Sequence, residues 1–138
     1  MEEYLEEYLE EIGDYMSSPV ISIDSELTVQ EAAQQMHAKN VGSVLVRIYD
    51  KYVGVLTETD LSRKVVAQKL NPETTMVSSI MTTPIISMDR YMPVIEAEEF
   101  MKNKKIRHLV VTEEDEIVGI LSVKDLVSCY SKSFRMVE

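Results

Sequence analysis

The chain contains an internal duplication with a constant spacing of 65 residues. Residues 16–61 align with residues 81–126 without a gap, and 17 of the 46 aligned positions are identical. Average composition would give roughly three identities by chance. Two such copies predict two similar units, each too small to bury a comfortable core alone. We therefore expect the copies to pack on each other with approximate twofold symmetry.

Both copies begin with the same order of strand and helix signals. The β-branched segments PVISI and PIISM predict strands that start at Pro19 and Pro84, where a proline is tolerated. Apolar residues at helical spacing follow in each copy. Thr28 and Glu31 form a capping-box pattern at the first of these helices, and Pro93 suits the first turn of the second.

The second half of each copy predicts a hairpin and a closing helix. The segments SVLVRI and HLVVTE are typical of buried strands, and YVGVLT and EIVGILS are typical of their partners after the turns YDK and EDE. The closing helices are ETDLSRKVVAQKL and VKDLVSCYSKSF. The predicted fold class is α+β, with two β-α-β-β-α repeats.

Two segments lie outside the aligned copies. The first places Tyr4, Leu5, Tyr8, Leu9 and Ile12 on one helix face with acidic residues opposite, which predicts an amphipathic helix that covers the core. The second is a linker with a turn signal at an Asn-Pro pair. The predicted organisation is an N-terminal helix at 1–13, repeat 1 at 14–70, a linker at 71–78, repeat 2 at 79–132 and a tail at 133–138.

Composition and charge narrow the classes of function. The formal net charge of −10 argues against an extended nucleic-acid surface, because such binding depends on phosphate neutralisation by Lys and Arg. The sequence has no apolar run long enough to span a membrane, and the acidic N-terminus is not a signal peptide. Cys129 is the only cysteine, so no intrachain disulfide can form, and we expect a cytosolic protein. We expect the Cys129 side chain itself to be a small buried apolar group.

The most specific pattern occurs once in each copy, as GVLTETDL and GILSVKDL. Thr57 and Ser122 are each followed three places later by an aspartate, Asp60 and Asp125. One interpretation is a capping box at a helix N-terminus. The other is a nucleotide site, in which the hydroxyl contacts a phosphate and the carboxylate accepts from ribose hydroxyls. The sequence alone leaves both interpretations open.

Enzyme and metal motifs give no competing interpretation. The chain has no zinc-protease, C-x-x-C, nucleophile-elbow or Walker pattern. The acidic run at residues 113–116 lacks the spacing and the glycine of a calcium loop, so we interpret it as a solvated hairpin turn. The prediction is a protein without catalytic residues, a metal site or a required cofactor.

The whole repeat resembles the CBS domain, and the tandem pair resembles a CBS-pair (Bateman) module. The resemblance covers residues 14 to about 132 and rests on MSSPVISID, GSVLV and YVGVLTETDL with their second copies. It implies a flat homodimer that binds AMP, ADP or ATP in clefts between the repeats, with AMP as the first candidate. It also implies regulation of a protein partner in trans. The alternatives are an S-adenosylmethionine sensor and a dimerisation scaffold that binds no ligand.

The resemblance also implies roles for individual residues. Asp60 and Asp125 would take the ribose hydroxyls. Arg107 and His108 match basic phosphate contacts, whereas the first copy has Gly42 and Ser43 there, so equal occupancy of the two sites is not implied. His108 is equally compatible with a structural role. The remaining phosphate candidates are Thr57, Ser122 and Arg63, and the adenine-pocket candidates are Ser18, Pro19, Val20, Ile21, Thr83, Pro84, Ile85 and Ile86.

Arg63 and Lys64 follow the first aspartate on the predicted closing helix. Both add positive charge near the candidate phosphate position. A solvated helix face is the simpler interpretation for the pair, and we expect their side chains to point into water.

Overall fold

The computed structural model describes residues 10–137, with backbone only for the last six of these. The described chain forms two compact units. The inner unit is Ile21–Ile85, and the outer unit combines the described residues up to Val20 with those from Ile86 onward. Most of the predicted N-terminal helix, residues 1–9, lies outside the described residues. In the described part, no helix is long and apolar enough to cross a membrane.

The inner unit is a three-stranded sheet with helices. Strand β1 (Ser22–Asp24) pairs in parallel with β2 (Ser43–Ile48), which pairs antiparallel with β3 (Lys51–Thr57). Helix α1 (Val29–Lys39) connects the parallel strands. Helix α2 (Glu58–Asp60) continues as the π-helical segment Leu61–Val66, and α3 (Val77–Ile80) ends the unit's helices.

The outer unit repeats this arrangement. A 3₁₀ turn (Ile12–Asp14) precedes β4 (Ser87–Asp89), α4 (Val94–Lys104), β5 (His108–Glu113), β6 (Glu116–Ser122) and α5 (Val123–Val137). Sheet order and strand directions match those of the inner unit. Each hairpin also has a β-bulge at the equivalent place, between Val46 and Arg47 and between Val111 and Thr112. The two sequence copies therefore have the same strand order and the same pairing register.

Each unit has its own apolar core. The predicted face of α1 is buried through Val29, Ala32 and Met36, and the equivalent residues of α4 are buried in the same way. Thr28 and Glu31 form the predicted capping box, with Thr28 Oγ1 accepting from Glu31 N at 3.2 Å. The buried apolar residues of the outer core are Ile12, Val94, Ala97, Met101, Leu109, Val111, Leu121, Leu126 and Cys129.

The structure confirms the central strands and corrects several ends. SVLVRI and HLVVTE have the predicted bounds. The first strands begin three residues after the prolines instead of at them, and both Ser18-Pro19 and Thr83-Pro84 peptide bonds are cis. Pro93 is the N-cap of α4, with an extended backbone, and does not lie in the first turn. The first closing helix ends at Val66 rather than residue 70, and the predicted linker includes the start of α3.

The structural repeat extends further back than the sequence identity. Isolated bridges join Glu11 to Pro93 in the outer unit and Met76 to Thr28 in the inner unit, which are pairs related by the same 65-residue shift. The residues that follow, Ile12 and Val77, are both fully buried. The segment that begins each sequence repeat thus packs on the sheet of the other repeat.

Candidate functional site

The two strand-to-helix turns are complete capping boxes. Thr57 N and Thr57 Oγ1 donate to Asp60 Oδ2 at 3.0 and 3.2 Å, and Asp60 N donates back to Thr57 Oγ1 at 3.2 Å. Ser122 and Asp125 make the same three bonds at 2.7, 3.0 and 3.2 Å. The capping interpretation of both patterns is therefore confirmed. In both turns the cap uses only one carboxylate oxygen, Oδ2.

Glycine at the start of each pattern permits a close backbone approach. A Cβ on Gly54 would lie 3.0 Å from Thr82 O and 3.1 Å from Thr83 Cγ2, and one on Gly119 would lie 2.9 Å from Ser17 O. The approaching segments also pair with the strands, because Val55 N donates to Thr82 O and Ile120 N to Ser17 O. Each turn is thus lined by the segment that begins the other sequence repeat.

This packing places part of each predicted adenine segment beside a turn. We call residues 54–60 with 82–84 the inner site, and residues 119–125 with 17–19 the outer site. Thr83 and Pro84 are exposed in the inner site, as Ser18 and Pro19 are in the outer site. Val20 and Ile85 are half-buried, whereas Ile21 and Ile86 pack against the inner and outer cores.

The inner site contains a contact that we did not predict. Lys64 Nζ lies 2.9 Å from Asp60 Oδ1, and Thr82 Oγ1 donates to the same oxygen at 2.8 Å. Lys64 Nζ also donates to Ile80 O at 3.0 Å and approaches Thr82 Oγ1 at 3.3 Å. Asp60 is only 4% exposed. Lys64 is 44% exposed, as expected for a solvated helix face, but its contact with Asp60 was missed, although the spacing of four residues was an available signal.

The outer site lacks this contact. Among the described residues, the donors to the Asp125 carboxylate are the backbone N and the hydroxyl of Ser122, and both bind Oδ2. Asp125 is half-buried, whereas Asp60 is buried; Ser17 is equivalent to Thr82, and both are exposed. The hydrogen bonds from Ser122 to Oδ2 therefore fix the orientation of the Asp125 carboxylate, while Oδ1 can accept further hydrogen bonds.

Cys129 occupies the position equivalent to Lys64. It is 3% exposed, as predicted for a small buried side chain. Its thiol donates to Glu10 Oε2 at 3.3 Å, and the Tyr15 hydroxyl donates to the same oxygen. Burial, followed by the hydrogen bond to Glu10, raises the pKa of Tyr15. Sequence reasoning missed this cluster, because Glu10 and Tyr15 precede the region of repeat identity.

The candidate basic residues are distributed unequally. His108 is half-buried and lies opposite Ser122 in the β5–β6 pairing, next to the exposed Arg107. The carbonyl of Arg107 accepts from Val123 N at 3.1 Å, the same backbone bond that Glu58 N makes to Gly42 O at 3.0 Å. The aligned positions thus carry the basic residues Arg107 and His108 at the outer turn, and Gly42 and Ser43 at the inner turn.

Arg63 and the acidic hairpin contribute less. Arg63 is exposed on the π-helical segment, in agreement with a solvated face. Glu113 forms an ion pair with Arg90 at 3.5 Å and accepts a hydrogen bond from Tyr91 at 2.7 Å, which raises the pKa of Tyr91. Among the described residues, no group of three or more His, Cys, Asp or Glu side chains could hold a metal ion.

Comparison with known families identifies the duplicated unit. The sequence model of the CBS domain matches residues 12–67 and again residues 77–132. The chain belongs to the CBS domain family. CBS domain proteins are generally regulatory modules rather than catalysts. The two matches begin at the paired residues Ile12 and Val77, which agrees with the extent of the structural repeat.

Two curated relatives show how much of a protein the match can cover. The chain is 34% identical over 118 residues to an uncharacterized protein of Methanopyrus kandleri, covering 84% of this chain and 60% of that protein's length. It is 31% identical over 115 residues to the CBS domain-containing protein YhcV of Bacillus subtilis, covering 83% of this chain and 81% of YhcV. The chain thus spans 60% of the first of these relatives, which is less than two thirds of its length.

Two solved structures resemble the fold over nearly the whole chain. A conserved protein of Pyrococcus horikoshii aligns with a TM-score of 0.84 and 30% identity, over 89% of this chain and 93% of that chain. A CBS domain protein of Pyrobaculum aerophilum, solved in complex with AMP, aligns with a TM-score of 0.75 and 26% identity, over 88% and 99%. At least one protein of this fold therefore binds AMP.

Proposed function

We propose that this CBS domain protein is a regulatory module that binds an adenine nucleotide, with AMP as the first candidate. The observation that carries the proposal is the Asp125 carboxylate, which has one oxygen held by the cap and the other without a donor among the described residues. An ionised carboxylate accepts readily from the two adjacent hydroxyls of a ribose. The AMP complex of the Pyrobaculum relative supports the choice of ligand.

In the proposed complex, different residues around Asp125 contact the ribose, the phosphate and the base. The ribose hydroxyls donate to Asp125, while Ser122, Arg107 and His108 contact the phosphate. The base lies against the exposed segment of residues 18–20, whose backbone groups read its edge. Because residues 18–20 come from repeat 1 and residues 107–125 from repeat 2, the site draws on both sequence repeats. The corresponding candidates at the inner site are Asp60, Thr57 and residues 83–85, with Arg63 as the phosphate candidate because Gly42 and Ser43 stand at the positions of Arg107 and His108.

The proposed output is a signal to another protein. A nucleotide shifts a conformational equilibrium only by its differential affinity for the two states. We propose that AMP binding alters a surface that a partner recognises in trans, in the cytosol, and that the module acts as a homodimer. Val123 and Val127 are exposed four residues apart on α5 and offer an apolar face for self-association. Sedimentation with and without AMP tests both the dimer and its response.

Calorimetric titration tests the ligand. The wild-type chain is titrated with AMP, ADP, ATP and S-adenosylmethionine, and AMP is then titrated into Asp125→Asn. We expect saturable AMP binding that weakens at least tenfold in the variant, because hydrogen bonds to a charged acceptor contribute about 1.5–3 kcal/mol each. Asp115→Asn is the matched control, since Asp115 is an exposed carboxylate on the hairpin turn of the same unit.

Three results would change the proposal. Tighter binding of S-adenosylmethionine than of AMP would replace the ligand. Binding that survives in Asp125→Asn would move the site elsewhere. If none of the ligands binds at millimolar concentration, and Asp125→Asn affects only the free energy of unfolding, the turns are caps and the module is a scaffold.

A further inference from the structure

The inner and outer sites differ in how many acceptor positions their carboxylates have left. We propose that Lys64 closes the inner site to nucleotides, so that the chain binds one nucleotide, at Asp125. This inference rests on the proposed nucleotide function and concerns where that function operates. It is carried by the hydrogen bonds around Asp60 and Asp125.

Asp60 is saturated with donors. An ionised carboxylate offers about four lone-pair positions. Thr57 N and Thr57 Oγ1 fill the two on Oδ2, while Thr82 Oγ1 and Lys64 Nζ fill the two on Oδ1. A ribose hydroxyl can reach Asp60 only by displacing one of these donors.

Asp125 has the number of acceptor positions that a ribose needs. Ser122 provides both of its donors in the described structure, and both bind Oδ2. Oδ1 therefore keeps about two lone pairs, one for each ribose hydroxyl. The contrast with Asp60 is a difference of two donors on one oxygen.

Displacing Lys64 is unfavourable because it breaks two interactions. Its ammonium pairs with a carboxylate that is only 6% exposed, and a neutral hydroxyl cannot replace the charge. The same ammonium donates to the carbonyl of Ile80. That bond joins the helix after the turn to the chain leading into Thr82, which itself lines the inner site.

The outer site cannot form an equivalent closure. The position that Lys64 occupies in the inner unit belongs to Cys129 in the outer unit, where a thiol replaces the ammonium. Cys129 is buried and its hydrogen bond goes to Glu10. Of the two donors that distinguish the turns, this substitution removes the charged one. The other donor is Thr82, whose equivalent Ser17 makes no bond to Asp125 in the described structure.

Counting bound AMP in wild type and Lys64→Met tests the closure. Methionine keeps an unbranched side chain of similar length and removes the charge. We expect one AMP per wild-type chain and a second binding event in Lys64→Met, weaker than the first because Gly42 and Ser43 replace Arg107 and His108. The matched control is Lys51→Met, which removes a positive charge from an exposed site on β3 and should leave one event.

A double-mutant cycle tests the ion pair without a ligand. Urea unfolding of wild type, Lys64→Met, Asp60→Asn and the double variant should show a coupling of about fivefold in the unfolding equilibrium constant. A coupling near onefold overturns the closure, because the ion pair between Lys64 and Asp60 would then contribute nothing to the stability of the fold. This measurement also shows which variants are folded before the titrations are interpreted.

The outcomes separate this inference from the proposed function. Two equal AMP events in wild type, one lost in Asp60→Asn, overturn the closure and leave nucleotide binding intact. A single event that persists alone in Lys64→Met also overturns it. If neither wild type nor Lys64→Met binds AMP, the proposed function fails and the closure fails with it.

Discussion

The inner and outer turns share a backbone but use their aspartates differently. Both turns have the same three capping bonds, the same strand register and the same close approach at a glycine. Asp60 is buried and bound by Lys64 and Thr82, whereas Asp125 is half-buried and bound only through its cap in the described structure. The two copies of one motif thus differ in the number of acceptor positions that their aspartates leave open in the described structure.

The largest expected difference concerns stability. Asp60→Ala should lower the free energy of unfolding by about 2 kcal/mol, because it removes a buried carboxylate that pairs with the half-exposed Lys64 and leaves Thr82 and Thr57 without their acceptor. Asp125→Ala should cost about 1 kcal/mol, the usual loss of a helix cap. Urea denaturation of both variants makes the comparison. Equal losses would show that the two turns are equally structural.

The glycines should be equally intolerant in the two units. Gly54→Ala and Gly119→Ala each place a Cβ against a backbone carbonyl, at 3.0 and 2.9 Å. We expect each to cost about 2 kcal/mol, because neither backbone can move freely. Thermal or urea unfolding measures the loss. A tolerated alanine in one unit would show that its approaching segment can shift, and would weaken the equivalence on which the comparison depends.

The basic residues of the outer turn sharpen the comparison at the phosphate. Arg107→Ala should weaken AMP binding about tenfold, or about 1.4 kcal/mol, and leave adenosine binding nearly unchanged, because only AMP carries the phosphate. Calorimetry with both ligands provides the measurement, and Lys104→Ala serves as a control for an exposed cation at the end of α4. Parallel losses for AMP and adenosine would place Arg107 away from the phosphate.

The smallest expected effect concerns the position equivalent to Ile80, which Tyr15 occupies in the outer unit. Burial and the hydrogen bond to Glu10 raise the folded-state pKa of Tyr15. Its contribution to stability is therefore complete below the unfolded pKa of about 10 and decreases as the pH rises above that value. Urea unfolding between about pH 8 and pH 11 should show a shallower loss in Tyr15→Phe than in wild type. Identical slopes would contradict the assigned environment.

Much of the fold could be predicted because short segments of the sequence determine its strands and helix caps. Continuous apolar runs closed by turns gave SVLVRI and HLVVTE their bounds, and spacing alone identified the Thr28 cap. The ends of elements were less visible. The first strands start three residues after the prolines, and it is the residues before the prolines that pair with the hairpin strand, as Ser17 does with Ile120.

The capping residues of the two turns could be predicted from the sequence, but the other contacts of Asp60 could not. The four capping residues were predicted from spacing, and the structure places them as expected. The occupancy of Asp60 depends on Lys64 and Thr82, and Thr82 lies 22 residues away in sequence, so only the folded chain brings the three together. Similarly, the equivalent residues Ile12 and Val77 differ in type but are equally buried, because a core position requires an apolar side chain of suitable volume rather than one particular residue.

The most direct measurement is a two-dimensional amide NMR titration of the isotope-labelled wild-type chain with AMP, which reports on both turns in one experiment. The prediction is that shifts concentrate at residues 17–20 and 119–125, while the amides of residues 54–60 and 82–84 stay in place. Comparable shifts at both turns would contradict the closure by Lys64. Shifts at neither turn up to millimolar AMP would contradict the nucleotide site itself.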